Sequence, residues 1–146
     1  MTTYQGYYKP KNYQKYEGDP TNIVYRSSWE KSVMHWLDEK DEVLKWSSEE
    51  LAIPYISPVD NRKHRYFPDF KATIRSQDGT IKTYLIEVKP YKQTKEPKPQ
   101  KRKTKQYITE VVTWGVNSAK WEAARNYCAA KGWEFMIITE KELGRS

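Results

Sequence analysis

The fold of this chain is decided by Arg65-Tyr66-Phe67-Pro68-Asp69-Phe70 and, after a short turn, by Tyr84-Leu85-Ile86-Glu87-Val88-Lys89-Pro90. Both runs are rich in aromatic and β-branched residues, which favour strands. Residues 76–80, with the sequence Ser-Gln-Asp-Gly-Thr, separate them and supply an Asp-Gly turn, so the pattern predicts a β-hairpin. Glu87 and Lys89 are two residues apart, and their side chains therefore point to the same face of the second strand.

The register of the predicted hairpin decides where Asp69 lies. A two-residue loop, 78–79, places Asp69 opposite Val88, on the face away from Glu87. A three-residue loop, 77–79, places Asp69 opposite Glu87, with the glycine of the loop in the left-handed conformation after a type I turn. Like charges directly opposite each other are destabilising, and a bridging cation relieves that repulsion. We therefore predict the three-residue loop and a divalent-metal site at Asp69 and Glu87.

The lysine of this strand has two interpretations. Lys89 lies beside the predicted metal site, where a cation can stabilise negative charge on a bound phosphate. The simpler interpretation is an exposed lysine at the end of a strand, with Glu87 as its ion-pair partner. Short motifs of this kind occur by chance, so the spacing alone does not separate the two.

The composition indicates one domain of ordinary size. A chain of 146 residues is large enough for a single core. Only 37% of the residues are hydrophobic, but six Trp and twelve Tyr each bury a large area. No apolar run reaches the length of a membrane span, and residues 1–6 lack the apolar core of a signal peptide, so we expect no membrane association. The single cysteine, Cys128, cannot form an internal disulfide, which fits a reducing cytoplasm.

The net charge of +7 is concentrated in one segment, the basic loop of residues 89–105. That loop carries eight basic residues against one acidic residue, and the charges of the remaining chain cancel. Its three prolines and low hydrophobicity predict an exposed, mobile segment. Taken alone, a lysine run is a solvated or disordered tract. Next to a predicted metal site we interpret it as a phosphate-binding arm formed by Lys92, Lys95, Lys98, Lys101, Arg102, Lys103 and Lys105. Lys120 and Arg125 are further candidates for DNA contact, although exposed helical cations are usually solvated.

The remaining pattern predicts an α/β fold. Residues 1–24 are polar, rich in tyrosine and aperiodic, which is typical of an extended N-terminal arm that either packs over the domain or docks a partner. The predicted elements after the arm are a helix over 28–40, short strands over 42–46 and 51–55, a turn at 58–63 into the central hairpin, and a strand over 133–139. They give a mixed β-sheet with a central hairpin flanked by helices.

The region after the basic loop predicts two helices. Tyr107, Val111 and Trp114 have helical spacing, and the first helix is predicted to end near Gly115. The second helix is predicted to begin at residue 117 or 118 and to stop at Gly132, with Trp121, Ala124 and Cys128 on its buried face.

Glu30 also has two interpretations. Ser27 and Glu30 have the spacing of a capping box, in which the glutamate accepts a hydrogen bond from the backbone N–H of the cap residue. Glu30 also begins the apolar stripe of Val33, Met34 and Leu37, which faces the sheet. A carboxylate on that stripe points towards the predicted metal site.

Pro68-Asp69 followed by Glu87-Val88-Lys89, with Glu30 on a preceding helix, resembles the PD-(D/E)xK nuclease superfamily, and the arrangement looks like its TnsA transposase endonuclease branch and phage resolvases. It is closer still to the head completion nucleases of contractile-tailed phages, because the resemblance extends over residues 6–12, 18–20 and 25–30. It implies a restriction-endonuclease-like core, with residues 25–146 as a single PD-(D/E)xK nuclease-like domain.

The resemblance also implies a catalytic set of Glu30, Asp69, Glu87 and Lys89. Asp69, Glu87 and the Val88 carbonyl would hold Mg²⁺ or Mn²⁺, which prefer oxygen ligands. Lys89 would orient the attacking water and stabilise the transition state. Glu30 would either hold Lys89 in place or complete a second metal site.

The function implied by the resemblance is a metal-dependent DNA endonuclease that acts in phage head completion after DNA packaging, processing the packaged ends. The implied partners are DNA and, through the arm, phage portal or neck proteins, and the implied location is the host cytoplasm during assembly or the virion. Two alternatives remain open at this point. One is a non-catalytic structural protein that binds DNA in head completion, and the other is a TnsA-like transposon endonuclease or junction resolvase.

Overall fold

Eight strands, two α-helices and two short 3-10 helices form the part of the chain that this computed structural model describes, residues 3–144. The elements are β1 (Thr3–Tyr7), a 3-10 helix (Tyr13–Lys15), β2 (Val24–Ser27), α1 (Ser28–Glu39), β3 (Val43–Ser48), β4 (Ile53–Ile56), β5 (Lys63–Tyr66), β6 (Phe70–Arg75), β7 (Ile81–Val88), a second 3-10 helix (Tyr91–Thr94), α2 (Lys105–Lys131) and β8 (Glu134–Ile138). Neither α-helix combines the length and apolar character that crossing a bilayer requires, as far as the chain is described.

The central sheet has the strand order β3-β6-β7-β8. The pairs β3·β6 and β6·β7 are antiparallel, whereas β7 and β8 are parallel. Parallel neighbours need a long crossover connection, and here α2 supplies it. The predicted mixed sheet with a central hairpin and flanking helices is therefore confirmed.

The two faces of the central sheet are covered by different elements. Ile86 and Val88 of β7 pack with Met34 of α1 and with residues of the arm. Leu85 of β7 packs on the other face, against α2 and the small sheet β4-β5. Because side chains alternate along a strand, Glu87 lies on the α2 side with Leu85. This alternation puts a carboxylate on the same face of β7 as the buried Leu85.

The central hairpin has the predicted three-residue loop. The backbone N–H of Ser76 donates to the Thr80 carbonyl at 2.8 Å, and the N–H of Gly79 donates to the Ser76 carbonyl at 2.9 Å. Gly79 has φ of +88°, in the left-handed region that glycine adopts without strain. Phe70 pairs with Ile86, so the same register continued by one residue places Asp69 opposite Glu87.

The run from Arg65 to Phe70 does not form one strand, which corrects the prediction. Its first part belongs to β5, which pairs with β4 in a separate two-stranded sheet, and β6 begins only at Phe70. Pro68 lies between them and cannot donate a hydrogen bond to a ladder, so the strand is interrupted there. The turn at 58–63 accordingly joins β4 to β5 and does not lead directly into the central hairpin.

The prediction of two helices after the basic loop is also wrong, because α2 is one continuous helix through Gly115. A glycine inside a helix costs about 0.5–1 kcal/mol relative to alanine. Burial of Trp121 on the same helix contributes more than that cost, since a large apolar side chain stabilises by about 1.5–3 kcal/mol. The end of the helix is as predicted, with Gly132 in the left-handed C-terminal position at φ of +73°.

The described part of the arm packs over the domain, which is the first of its two alternatives. β1 pairs with β2 in an antiparallel two-stranded sheet. Tyr8 and Tyr16 are buried, with their ring centroids 6.1 Å and 4.8 Å from that of Trp46. Tyr7 and Tyr13 remain about two-thirds exposed. The arm is thus fixed on its inner side and offers tyrosine rings on its outer side.

We expect Asp38→Ala to lower the free energy of unfolding by about 2–3 kcal/mol. Asp38 is fully buried on α1 and accepts hydrogen bonds from the backbone N–H groups of Lys11 at 2.9 Å and Asn12 at 3.0 Å, and from the Tyr8 hydroxyl at 3.4 Å. Without the carboxylate these donors lose their partner. Urea unfolding measures the change. Glu39→Ala is the control, because its exposed ion pair with Lys11 should contribute little, and equal effects of the two variants would contradict this prediction.

Candidate active site

Glu87, near the end of β7, forms an ion pair with Lys89, which follows the strand and is partly exposed. The Glu87 side chain is nearly buried, with 5% of the residue exposed, and its Oε2 lies 3.1 Å from Lys89 Nζ. Its Oε1 accepts a hydrogen bond of 2.6 Å from the Tyr66 hydroxyl. Both oxygens of the carboxylate are therefore oriented by neighbouring side chains.

Asp69 immediately precedes β6, and its charge interacts with both members of this pair. Its Oδ2 accepts a hydrogen bond of 2.8 Å from the backbone N–H of Val88. Burial raises the pKa of Asp69 well above its usual value, and the nearby charge of Glu87 raises it further, while the Val88 N–H opposes the shift. Two carboxylates in such surroundings repel each other, and a cation between them would relieve the repulsion.

Lys89 is held in its charged form by the same carboxylates. Burial acts to lower the pKa of Lys89, but the charge and hydrogen bond of Glu87, followed by Asp69 and Glu30, together raise the pKa above its ordinary value. A lysine in this setting remains an ammonium group at neutral pH. It is thus a permanent donor and positive charge beside two carboxylates.

Glu30 lies at the N-terminus of α1, close enough to the other three residues to interact electrostatically. The Ser27 Oγ accepts the Glu30 backbone N–H at 3.1 Å, as predicted for the helix cap. The Glu30 Oε1 accepts from the backbone N–H of Arg26 at 3.2 Å, not from the Ser27 amide, which corrects the capping-box prediction. Burial raises the pKa of Glu30, and the charges of Glu49 and Glu87 raise it further. The structure therefore brings Glu30 towards the carboxylates on the sheet while it also serves the cap.

Three residues of this region were not predicted from the sequence. Tyr66 orients Glu87, and burial together with the Glu87 charge raises the pKa of Tyr66, so its hydroxyl stays a donor. Arg26 forms an ion pair with Glu49 beside Glu30. Glu49 has φ of +54°, which non-glycine residues rarely adopt outside functional sites and turns. Only Tyr66 carried a sequence signal, since it immediately precedes the Phe67-Pro68-Asp69 motif.

The donor set fits a hard divalent cation. Asp69 and Glu87 supply carboxylate oxygens, which Mg²⁺ and Mn²⁺ prefer, and Mg²⁺ commonly binds through one or two carboxylates with water in its remaining positions. Within residues 3–144 no group of three or more His, Cys, Asp and Glu side chains is arranged as a metal cage. The surroundings therefore suit an ion that is shared with water and substrate.

The basic loop follows directly after Lys89. All seven cations predicted to bind DNA are exposed, and they are Lys92, Lys95, Lys98, Lys101, Arg102, Lys103 and Lys105. The loop and the first half of α2 enclose a cleft of about 1090 Å³. Tyr91, Trp114 and Asn117 contribute to its walls. The segment that carries the excess positive charge of the chain therefore begins at the lysine of the candidate site and is exposed to solvent.

Comparison with known proteins identifies the family of the chain. A family model described as TnsA-like endonuclease N terminal matches residues 40–140, a range that contains Asp69, Glu87 and Lys89. The head completion nuclease of Enterobacteria phage T4 is 42% identical over 144 residues, which is 96% of this chain and 93% of that protein. The resemblance found in the sequence motifs is therefore confirmed, and the chain belongs to the TnsA-like endonuclease family.

Proposed function

We propose that the chain is a metal-dependent DNA endonuclease that acts in phage head completion, where it processes packaged DNA ends. The observation that carries this proposal is the pair of Asp69 and Glu87, two carboxylates that lie close enough to repel each other next to the ammonium group of Lys89. A purely structural DNA-binding protein gains nothing from such a pair. The similarity to a head completion nuclease supports the setting of phage assembly.

Asp69, Glu87 and the Val88 carbonyl would hold Mg²⁺ or Mn²⁺, and such an ion supplies polarisation of the scissile phosphate and a lower pKa for an attacking water. Lys89 Nζ donates hydrogen bonds to the phosphate oxygens as negative charge develops on them. Glu87 holds Lys89 by their ion pair, and Tyr66 fixes the Glu87 carboxylate by its hydrogen bond. Tyr66 is therefore a positioning residue.

Glu30 is best assigned to the orientation of Lys89. Its charge acts on Lys89 and Asp69 through space, and its carboxylate is already held by the Arg26 backbone N–H. We therefore assign Glu30 an electrostatic role and not that of a primary ligand.

DNA binding is assigned to the basic loop. Seven exposed cations follow Lys89 in the sequence, and contacts of lysine and arginine with phosphates carry no base specificity. Each neutralised phosphate steepens the dependence of binding on salt. We therefore expect affinity for DNA to fall strongly as salt rises and to vary little with base sequence.

A contact with portal or neck proteins is assigned to the outer side of the arm. Among the arm side chains whose exposure is described, Tyr7 and Tyr13 have large exposed rings, each about two-thirds accessible. Tyrosine is enriched at protein interfaces because its ring is large and its hydroxyl is polar. The protein would act in the host cytoplasm during assembly and remain with the virion if this contact persists.

Removal of divalent metal is expected to abolish cleavage while binding of DNA persists. The test incubates supercoiled, linear and branched DNA with the full chain in Mg²⁺, Mn²⁺ or EDTA, and gel electrophoresis measures the cut products. Cutting in either metal and none in EDTA is the expected result. Equal cutting in EDTA would contradict the metal dependence, and salt-sensitive binding without cutting of any substrate would favour the structural protein.

A further inference from the structure

A second pocket, of about 450 Å³, opens beside Glu87 on the α2 side of the sheet. Its walls are Glu49, Arg65, Tyr66, Phe67, Glu87 and Lys120. Glu87 is the residue that binds Lys89, so the pocket adjoins the position assigned to the scissile phosphate. Whatever occupies this pocket therefore lies next to the reacting group.

Two cations of this pocket are free of carboxylate partners. Among residues 3–144, neither Arg65 nor Lys120 forms an ion pair. Glu49, the other acidic residue of the pocket, is paired with Arg26. The positive charges of Arg65 and Lys120 are thus available to an anion that enters the pocket.

Aromatic rings hold both cations in place. The Arg65 guanidinium lies 5.5 Å from the centroid of the Phe67 ring. Lys120 Nζ lies 5.7 Å from the centroid of Tyr66 and 5.9 Å from that of Tyr55. Contacts of this kind orient a cation without neutralising it, and orientation before binding reduces the entropy lost when the cation contacts a ligand.

Two cations beside an active site suit a second phosphate of the same DNA strand. Glu87 is both a wall of this pocket and the ion-pair partner of Lys89, so a strand whose scissile phosphate contacts Lys89 would bring a neighbouring phosphate towards the pocket. Lys120 is also three residues after Asn117, on the same side of α2 as the cleft beneath the basic loop. A strand that leaves the cleft would therefore pass Lys120.

We propose that Arg65 and Lys120 form a binding subsite for the phosphate that adjoins the scissile phosphate on the cleaved strand. This inference rests on the endonuclease function proposed above and adds two binding residues to it. Lys120 lines the pocket, whereas Arg125, the other cation of α2 considered for DNA contact, does not. Arg125 is exposed and lies over the Phe135 ring at 5.6 Å, and it is absent from the walls of the pocket.

The test compares Lys120→Ala and Arg65→Ala with wild type and with the control Arg125→Ala. Binding of a duplex oligonucleotide in EDTA is measured by fluorescence anisotropy over a range of KCl concentrations. The plot of log K against log salt falls with a negative slope, and loss of one phosphate contact reduces the magnitude of that slope by about 0.9. We expect this reduction in each pocket variant and not in the control. Lys120→Arg keeps the charge and should restore the wild-type slope.

Cleavage in Mg²⁺ supplies an independent second measurement. A contact made equally in the ground state and the transition state affects KM and leaves kcat unchanged, so both pocket variants should raise KM several-fold. If Lys120→Ala and Arg65→Ala keep the wild-type salt slope, the subsite is contradicted. It is also contradicted if Arg125→Ala reduces the salt slope as much as the two pocket variants do. If the wild type cuts no DNA, the endonuclease proposal fails, whereas the salt slopes still decide whether the two cations bind phosphate.

Discussion

Lys89→Ala is expected to lower kcat for DNA cleavage by about 10²–10³-fold, the usual effect of removing one donor that stabilises developing charge. The substitution also leaves Glu87 buried without its ion-pair partner, so we expect a lower melting temperature as well. Cleavage should therefore be measured well below that temperature. Single-turnover kinetics in Mg²⁺ give the chemical step directly.

Lys82→Ala is the matched control for this prediction. Lys82 is on the same strand and forms a similar ion pair, with its Nζ 3.0 Å from Glu134 Oε1, but both side chains are exposed and distant from the carboxylates of Asp69 and Glu87. An exposed ion pair contributes little to stability, so neither cleavage nor melting should change appreciably. If both lysine variants cut DNA like the wild type, Lys89 is only an ion-pair partner of Glu87.

Asp69→Asn is expected to abolish cleavage and, in EDTA, to stabilise the fold. The amide keeps an acceptor for the Val88 N–H but carries no charge to bind a cation or to repel Glu87. Relief of a like-charge pair is worth up to about 1 kcal/mol, which corresponds to roughly 2–4 °C in melting temperature for a domain of this size. Activity assays and thermal melting of the same protein measure the two effects.

The stability of the folded protein should depend on pH through Asp69. Burial and Glu87 raise the pKa of Asp69 in the folded state above its value in the unfolded chain. The folded protein therefore binds the proton more tightly, and stability falls as pH rises from the unfolded pKa to the folded one. This loss should be smaller in Asp69→Asn when melting is followed against pH in EDTA.

Asp78, in the hairpin loop, should affect the pH dependence of stability in the opposite direction. Hydrogen bonds from the Thr80 backbone N–H and from side chains of the loop lower the pKa of Asp78. The stabilisation of the fold by the Asp78 carboxylate is therefore lost as pH falls. Asp78→Asn should leave cleavage unchanged and should not stabilise the fold. A stability gain in Asp78→Asn equal to that in Asp69→Asn would contradict the assignment of the effect to the carboxylate pair.

The hairpin was predictable because local chemistry and charge agreed. Gly79 permits the left-handed turn, and the choice between two registers followed from the requirement that Asp69 and Glu87 share a cation. The end of α2 was predictable for a similar reason, since Gly132 combines a helix stop with the left-handed conformation. Signals of this kind depend only on neighbours in sequence or on one strand pair.

Other features depend on contacts that the sequence does not display. Gly115 predicts the end of a helix. In the structure, Trp114 and Trp121 pack against each other with ring centroids 6.2 Å apart, and this contact stabilises the continuous helix. The ion pair of Arg26 with Glu49 joins residues 23 positions apart. The pocket at Lys120 similarly combines α2 with β5, so its two cations could not be distinguished from solvated ones.

If Lys105 and Lys120 both bind phosphates, as proposed above, the unbroken course of α2 would set a fixed distance along the bound DNA. Lys105 at its first turn and Lys120 beside Glu87 are 15 residues apart, which at 1.5 Å per residue is about 22 Å. A strand held at both positions would span roughly six or seven nucleotides at 3.4 Å of rise each. The length of the helix would then fix how many nucleotides the enzyme contacts on one side of the cut.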